Sequence, residues 1–144
     1  GLYWFEEPLR YSELAGCARL SEKMRTPIML GENFHGPRDM HEALKARACD
    51  MVMPDLMRIG GVTGWMRAAA IAEQYSVSVS SHLMPEISAH LMLATPNHGW
   101  LEWTDWLEPI LKDPFAVEEG AVIVPEKPGV GFDWDEDALN RYEF

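Results

Sequence analysis

A chain of 144 residues with 47% hydrophobic side chains can bury one sizeable core, but falls short of the roughly 200 residues that a complete β/α barrel needs. Its net charge of −11 argues against nucleic acid, which selects basic surfaces. No uncharged run reaches the roughly 18 residues that span a membrane, and no signal-peptide pattern opens the chain.

Taken in order, the elements alternate. A short apolar run, Leu-Tyr-Trp-Phe, closes at Glu6. Helical spacing then runs from Ser12 to Met24, with Ser12 as N-cap and Leu14, Cys17, Ala18, Leu20 and Met24 on the inward stripe. Pro27 ends it, and Ile28 to Leu30 reads as a strand. Pro37 opens a second helix as a first-turn residue, with Met40, Ala43, Leu44 and Ala48 facing inward. Asp50 to Pro54 is the next strand. After the Gly60-Gly61 loop, Thr63 caps a helix carrying Trp65, Met66, Ala69, Ala70 and Ala72. Val77 to Ser81 is a strand, and Glu86 to Ala94 a helix that Pro96 terminates. From Asp113 onward Pro114, Gly120, Pro125, Pro128, Gly129 and Gly131 break the pattern into loops or a hairpin, before a terminal helix from Asp135 to Tyr142. The expectation is a single domain over residues 1–144, with βα repeats over 1–112 and a C-terminal cover over 113–144. It is expected to be the C-terminal part of a longer protein.

Strand and helix in alternation imply parallel strands joined by right-handed crossovers. One acid or imidazole closes each apolar run: Glu6, Glu32, Asp55, His82 and Glu102, spaced 26, 23, 27 and 20 residues apart. A βα unit takes roughly 25 to 30 residues, so this interval puts each at the C-terminal end of a successive strand, where barrel enzymes keep their chemistry. A single acid at a strand end is more often a cap or a surface charge. Five in order at one interval point to a shared pocket.

The chain resembles the mandelate racemase branch of the enolase superfamily, the mandelate racemase/muconate lactonizing enzyme family. The matching motifs are Trp-Phe-Glu-Glu-Pro at 4–8, Gly-Glu-Asn at 31–33, Met-Pro-Asp at 53–55 and Ile-Gly-Gly-Val-Thr-Gly-Trp at 59–65. Ser-Ser-His-Leu at 80–83, Glu-Ile-Ser-Ala-His-Leu at 86–91, Trp-Leu-Glu at 100–102 and Pro-Gly-Val-Gly at 128–131 follow. The resemblance implies an α/β fold, the C-terminal part of a (β/α) TIM-type barrel lacking the N-terminal capping domain and the first barrel strands. It implies that Glu6 and Glu32 are two of three carboxylates holding Mg²⁺, and that Asp55 and His82 form a hydrogen-bonded pair with the imidazole as base or acid. It also implies that Glu102 is the acid that hydrogen-bonds a substrate carboxylate as it becomes an enediolate. The family's Lys-X-Lys strand and third metal carboxylate have no counterpart between Gly1 and Phe144.

The chemistry explains the residue types. An α-proton next to a carboxylate is very weakly acidic, so the charge formed on its removal needs a Lewis acid on hard oxygen ligands. An imidazole works near neutral pH with a carboxylate fixing its tautomer, and Glu102 suits proton donation if Trp100, Trp103 and Trp106 bury it. His35 and Met84 lie in active-face loops and are expected substrate contacts; Arg58 is either a third such contact or a loop charge. Alternation turns Glu7 away from Glu6, toward a structural role or a place behind the ligands. His90 and His98 read as hydrogen-bonded packing residues, and His41 as solvent-facing.

The expected function is Mg²⁺-dependent abstraction of the proton α to a carboxylate, as in a racemase of 2-hydroxy acids. Dehydration of an acid sugar is one alternative and a catalytically incomplete structural fragment another. Cycloisomerases with Lys in place of His82 fit less well, and a glycosidase leaves the His–Asp spacing unexplained. A small carboxylate substrate and a homo-oligomer are expected, with no nucleic-acid or membrane partner. Cys17 and Cys49 alone do not make a disulfide framework; packing in a reducing cytoplasm is the default, although sequence leaves a bridge between them open.

Overall fold

A computed structural model of the chain describes residues 1–142. Four parallel strands, β1 (Phe5–Glu6), β2 (Ile28–Leu30), β3 (Met51–Val52) and β4 (Ser78–Val79), pair in sequence order. Helices α1 (Leu14–Lys23), α2 (Pro37–Lys45) and α3 (Gly61–Gln74) link them, and α4 (Pro85–Leu93) follows β4. The register places Glu6 beside Met29, Leu30 beside Val52 and Val52 beside Val79. A fifth extended stretch continues the sheet without a full ladder: Val79 donates to Asn97 O, Gly99 to Val79 O and Ser81 to Trp100 O. The result is a run of βα units curving as a segment of a barrel.

The core lies between the sheet and the helices. Met40, Ala43 and Leu44 on α2 face Trp65, Ala68, Ala69 and Ala72 on α3, all buried with Ile28, Leu30, Val52 and Val79. The small residues on α3 let the two helices approach, and Trp65 fills the volume they leave. Its indole N–H has a partner in Thr95 Oγ1 at 3.0 Å, whose hydroxyl donates to Leu91 O at 2.8 Å. Buried donors of this kind are seldom left unpaired. Cys17 and Cys49 are free thiols, both buried. Burial pushes the Cys49 thiol up to about 12. Among the described residues no helix is long and apolar enough to cross a membrane.

Several local expectations are corrected. Ser12 is exposed and outside α1, whose entry runs through Glu13 without a side-chain cap; the Glu13 N–H bonds Arg10 O in a backbone turn instead. Thr63 lies inside α3, not at its cap. Gly60 and Gly61, at φ 101° and 66°, adopt left-handed backbone that other residues resist, so the cap lies three residues earlier, at Gly60. That start brings Gly64 against the preceding loop: a Cβ there would lie 2.0 Å from Ile59 O. Met66 and Ala70 consequently face solvent, while Ala68 takes an inward place. The ladders at β3 and β4 are shorter than the apolar runs, since Pro54 lacks an N–H and the Asp50 side chain accepts from Ile28 N and Ser21 Oγ. His41 is half-buried, its ring centroid 5.9 Å from that of Tyr75 in an edge-on contact.

The C-terminal segment carries a hairpin and a short helix. Strands β5 (Val117–Glu118) and β6 (Ala121–Val122) form a hairpin turning through Glu119 and Gly120, both at positive φ, the backbone that suits strand twist. Helix α5 (Glu136–Asn140) is capped by Asp135, which accepts the Ala138 N–H at 3.0 Å. His90 ties α4 to this cover through Val130 O at 3.1 Å and an edge contact with Phe115. Its expected neighbours Leu93 and Ala94 are exposed, so His90 is a tether at the rim of the core. His98 bonds Thr95 O at 2.9 Å. Residues 143–144 of the expected C-terminal segment lie outside the described residues.

Candidate active site

Asp55 follows β3 at the point where Pro54 has ended the ladder. Its Oδ1 accepts the N–H groups of Met57 and Arg58, each at 2.9 Å, which closes the turn and leaves Oδ2 free to point along the strand ends. There it meets His82 Nδ1 at 2.9 Å, with a parallel bridge between the two residues setting their level. Asp55 is 5% exposed. A carboxylate accepting three hydrogen bonds places the proton on Nδ1 and turns Nε2 outward. Nε2 stands 3.5 Å from Glu32 Oε2. Glu32 also accepts Asn33 Nδ2 at 2.9 Å. Arg58 Nη1 donates to Glu32 O and Asn33 Oδ1 at 2.8 and 2.9 Å, and stands 4.0 Å from Glu32 Oε1. Three successive strand ends thus join in one chain of contacts.

Glu6 and Glu102 line a second part of the same face, a cleft of about 200 Å³ floored by Met29, Met53, Ser80 and Ser81 and edged by Trp4 and Trp100. Trp4 Nε1 donates to Glu6 Oε2 at 3.2 Å. Glu7 has left-handed backbone (φ 42°), and its carboxylate accepts the Gly31 N–H at 2.9 Å. Gly31 is pressed so close to the next strand that a Cβ would lie 2.6 Å from Met53 backbone atoms. Burial pushes the Glu7 carboxyl above its ordinary range, with repulsion from Glu32 and Glu6 adding to it. Glu7 is thus a strand tie beside the two expected metal carboxylates.

Glu102 is held by two buried serines. Ser81 Oγ accepts its N–H at 2.8 Å and Ser80 Oγ accepts that of Trp100 at 3.0 Å. The Glu102 carboxylate accepts the Leu83 N–H at 2.5 Å. Leu83 and Met84 both have positive φ, 53° and 47°, a conformation costing about 1–3 kcal/mol per residue. The expected burial of Glu102 by tryptophans is corrected: Trp100 is 55% and Trp106 69% exposed. Trp100 instead meets the edge of Tyr3.

The remaining expected contacts are less central. Met84 packs on the core. His35 is exposed, its ring edge against Tyr11 and its N–H bonded to Asp39. Arg58 is a brace between the loops after β2 and β3. Sequence reasoning gave no roles to Ser80, Ser81 and Asn33. The signal for the serines was two small polar residues ahead of His82 in a strand predicted to be buried.

Glu86, in the first turn of α4, is 2% exposed and its Oε2 has no partner. Burial raises its carboxyl above the ordinary 4.5, and Glu108 adds to the shift. A folded-state value above the unfolded one means stability is fully present below the ordinary carboxyl range and lost as pH rises through the raised value. Glu86→Gln removes the charge at constant shape. It is expected to flatten the fall of the urea midpoint as pH rises above the ordinary carboxyl value of 4.5; an unchanged slope would assign that dependence elsewhere.

A family profile described as Enolase C-terminal domain-like matches residues 1–138. The L-talarate/galactarate dehydratase of Salmonella typhimurium is 31% identical over 95% of this chain and 34% of its own length. Other curated relatives are dehydratases of D-gluconate, D-xylonate and arabinonate, together with two cycloisomerases. The crystal structure of an enolase from alpha proteobacterium bal199 with bound Mg is 55% identical, with a TM-score of 0.95 over 98% of this chain and 39% of the other. A Bradyrhizobium enolase complexed with magnesium and mandelic acid is 41% identical, with a TM-score of 0.92 over 97% and 38%. The chain therefore spans little more than a third of the length of these relatives.

Proposed function

The chain belongs to the enolase C-terminal domain-like family, and from that premise we propose that it supplies half of an Mg²⁺-dependent site that removes the proton α to a carboxylate and dehydrates a sugar acid. The observation that carries the reading is His82, held at 2.9 Å from Asp55 and 3.5 Å from Glu32 at three adjoining strand ends. The dehydratase outcome is favoured over racemisation by the talarate/galactarate dehydratase and its fellow dehydratases among the relatives.

The donor set fits the cation. Glu6 and Glu32 are hard oxygen ligands on adjacent strands, and each keeps lone pairs beyond its one hydrogen bond to Trp4 or Asn33. Among the described residues no three such donors converge to hold a metal ion; Glu6 and Glu32 would supply two of its ligands. When bound, the ion supplies Lewis-acid polarisation of the substrate carboxylate. His82 takes the α-proton at Nε2, while Asp55 holds Nδ1–H and offsets the positive charge of the ring. The same Nε2–H then delivers a proton to the departing β-hydroxyl. Glu102, carried across the cleft by Ser81, faces the substrate carboxylate. A small carboxylate substrate, a cytoplasmic location and a homo-oligomer belong to the same proposal. The first rests on this site, the second on the two free thiols. The third rests on Val62 and Met66, exposed at 55% and 41% on the outer face of α3.

The test is incubation of the whole protein with Mg²⁺ and a panel of aldonic and aldaric acids, galactarate and L-talarate included, followed by mass spectrometry. Loss of one water from at least one acid is the expected result. The second reading is racemisation, favoured by the mandelic acid complex of the Bradyrhizobium protein. Inversion of a 2-hydroxy acid by polarimetry, with no dehydration anywhere in the panel, would replace the first reading by the second.

A further inference from the structure

We propose that Ser88, a residue of α4 with no place in the site described above, is a positioning residue that holds His82 by clamping the turn that follows it. The inference rests on His82 being the base, and asks what keeps its ring aimed. Two consecutive residues, Leu83 and Met84, leave His82 in left-handed backbone. Neither is glycine, so the conformation persists only where surrounding bonds over-determine it. Two side chains do so, one on each side of the Leu83 peptide. Glu102 Oε2 accepts its N–H at 2.5 Å, and Ser88 Oγ donates to its carbonyl at 3.0 Å.

The second bond has no substitute. In a regular helix start the Leu83 carbonyl would accept from Ile87, but the Ile87 N–H bonds Met84 O at 3.1 Å, and so does the Ser88 N–H at 2.9 Å. The left-handed turn has swung the Leu83 carbonyl out of the helix ladder. Ser88 is 0% exposed, so without its hydroxyl the carbonyl loses its partner inside the protein. Relaxation of the turn toward ordinary backbone would rotate the peptide joining Leu83 to His82 and carry the imidazole off Asp55.

The test uses the whole protein in four forms: wild type, Ser88→Ala, Leu83→Gly, and both together. Ser88→Ala is expected to lower kcat by about 10²-fold with KM little changed, the effect of a misaimed catalytic group. Ser88→Thr, which keeps the hydroxyl, should recover most of it. Glycine adopts the turn conformation without strain, so the same Ser88→Ala change should cost far less in the Leu83→Gly background, and that background also covers the case in which the single variant folds poorly. A crystal structure of Ser88→Ala separates this proposal from the reading beneath it. A His82 ring moved off Asp55 with kcat reduced supports both. A moved ring with kcat intact upholds the clamp and removes His82 as the base. A ring still at hydrogen-bond distance from Asp55, or an equal cost of Ser88→Ala in both backgrounds, overturns the clamp.

Discussion

Turnover by the whole protein is expected to fall about 10²- to 10⁴-fold when His82 is replaced by Asn, the range that general acid–base groups contribute. The carboxamide fills much of the imidazole's volume and can still donate toward Asp55 Oδ2, so the fold and the Asp55 turn should survive. It has no nitrogen basic enough to hold the abstracted proton. Asp55→Asn should be nearly as damaging for a different reason. The amide would present N–H₂ to His82 Nδ1, force the proton onto Nε2, and leave the ring in the wrong tautomer with no basic nitrogen facing the substrate. A tautomer inversion of that kind costs about 10⁴-fold in the serine-protease triad. The measurement is kcat for water loss, with thermal melts to show that both variants fold. Undiminished turnover in His82→Asn would make the imidazole structural and the proposed mechanism wrong.

Magnesium affinity is expected to fall by more than about 100-fold in Glu32→Gln, and comparably in Glu6→Gln, since changes to mere outer-shell partners already cost about 10- to 100-fold. Stability should change little. Arg58 braces the loop through the Glu32 carbonyl and Asn33 Oδ1, and neither depends on the Glu32 carboxylate. Calorimetry showing unchanged metal affinity in both variants would end the assignment.

What the sequence revealed was the part governed by period. The interval between Glu6, Glu32, Asp55, His82 and Glu102 follows from the length of a βα unit, whereas the Asp55–His82 pairing was implied by the family resemblance. Pro37 and the Met40–Ala43–Leu44 stripe located α2 for the same reason. The misses concern backbone conformation and side-chain reach, which leave little trace in a hydrophobic pattern. Thr63 has a capping side chain, but Gly60 and Gly61 can turn left-handed and start α3 sooner. Glu7 was rightly set apart from Glu6 as structural, yet its grip on Gly31 depends on a positive φ that alternation cannot express. Nothing in the spelling of Ser88 shows that its hydroxyl reaches back five residues to Leu83. The tryptophans near Glu102 suggested burial of its carboxylate because indoles usually bury; here the Leu83 amide is the carboxylate's partner and two of the rings stay outside.

Six tryptophans occupy this chain, and their exposure is graded, with Trp4 and Trp103 half-buried between two extremes. Trp65 is 0% exposed and bonded to Thr95, while Trp100, Trp106 and Trp134 are 55%, 69% and 42% exposed. A collisional quencher such as iodide reaches the second group and not the first. The emission that survives quenching is therefore weighted toward Trp65 at the junction of α3 with α4, on the far side of the sheet from the cleft. It supplies an integrity signal for every substitution at the strand ends that needs neither substrate nor metal.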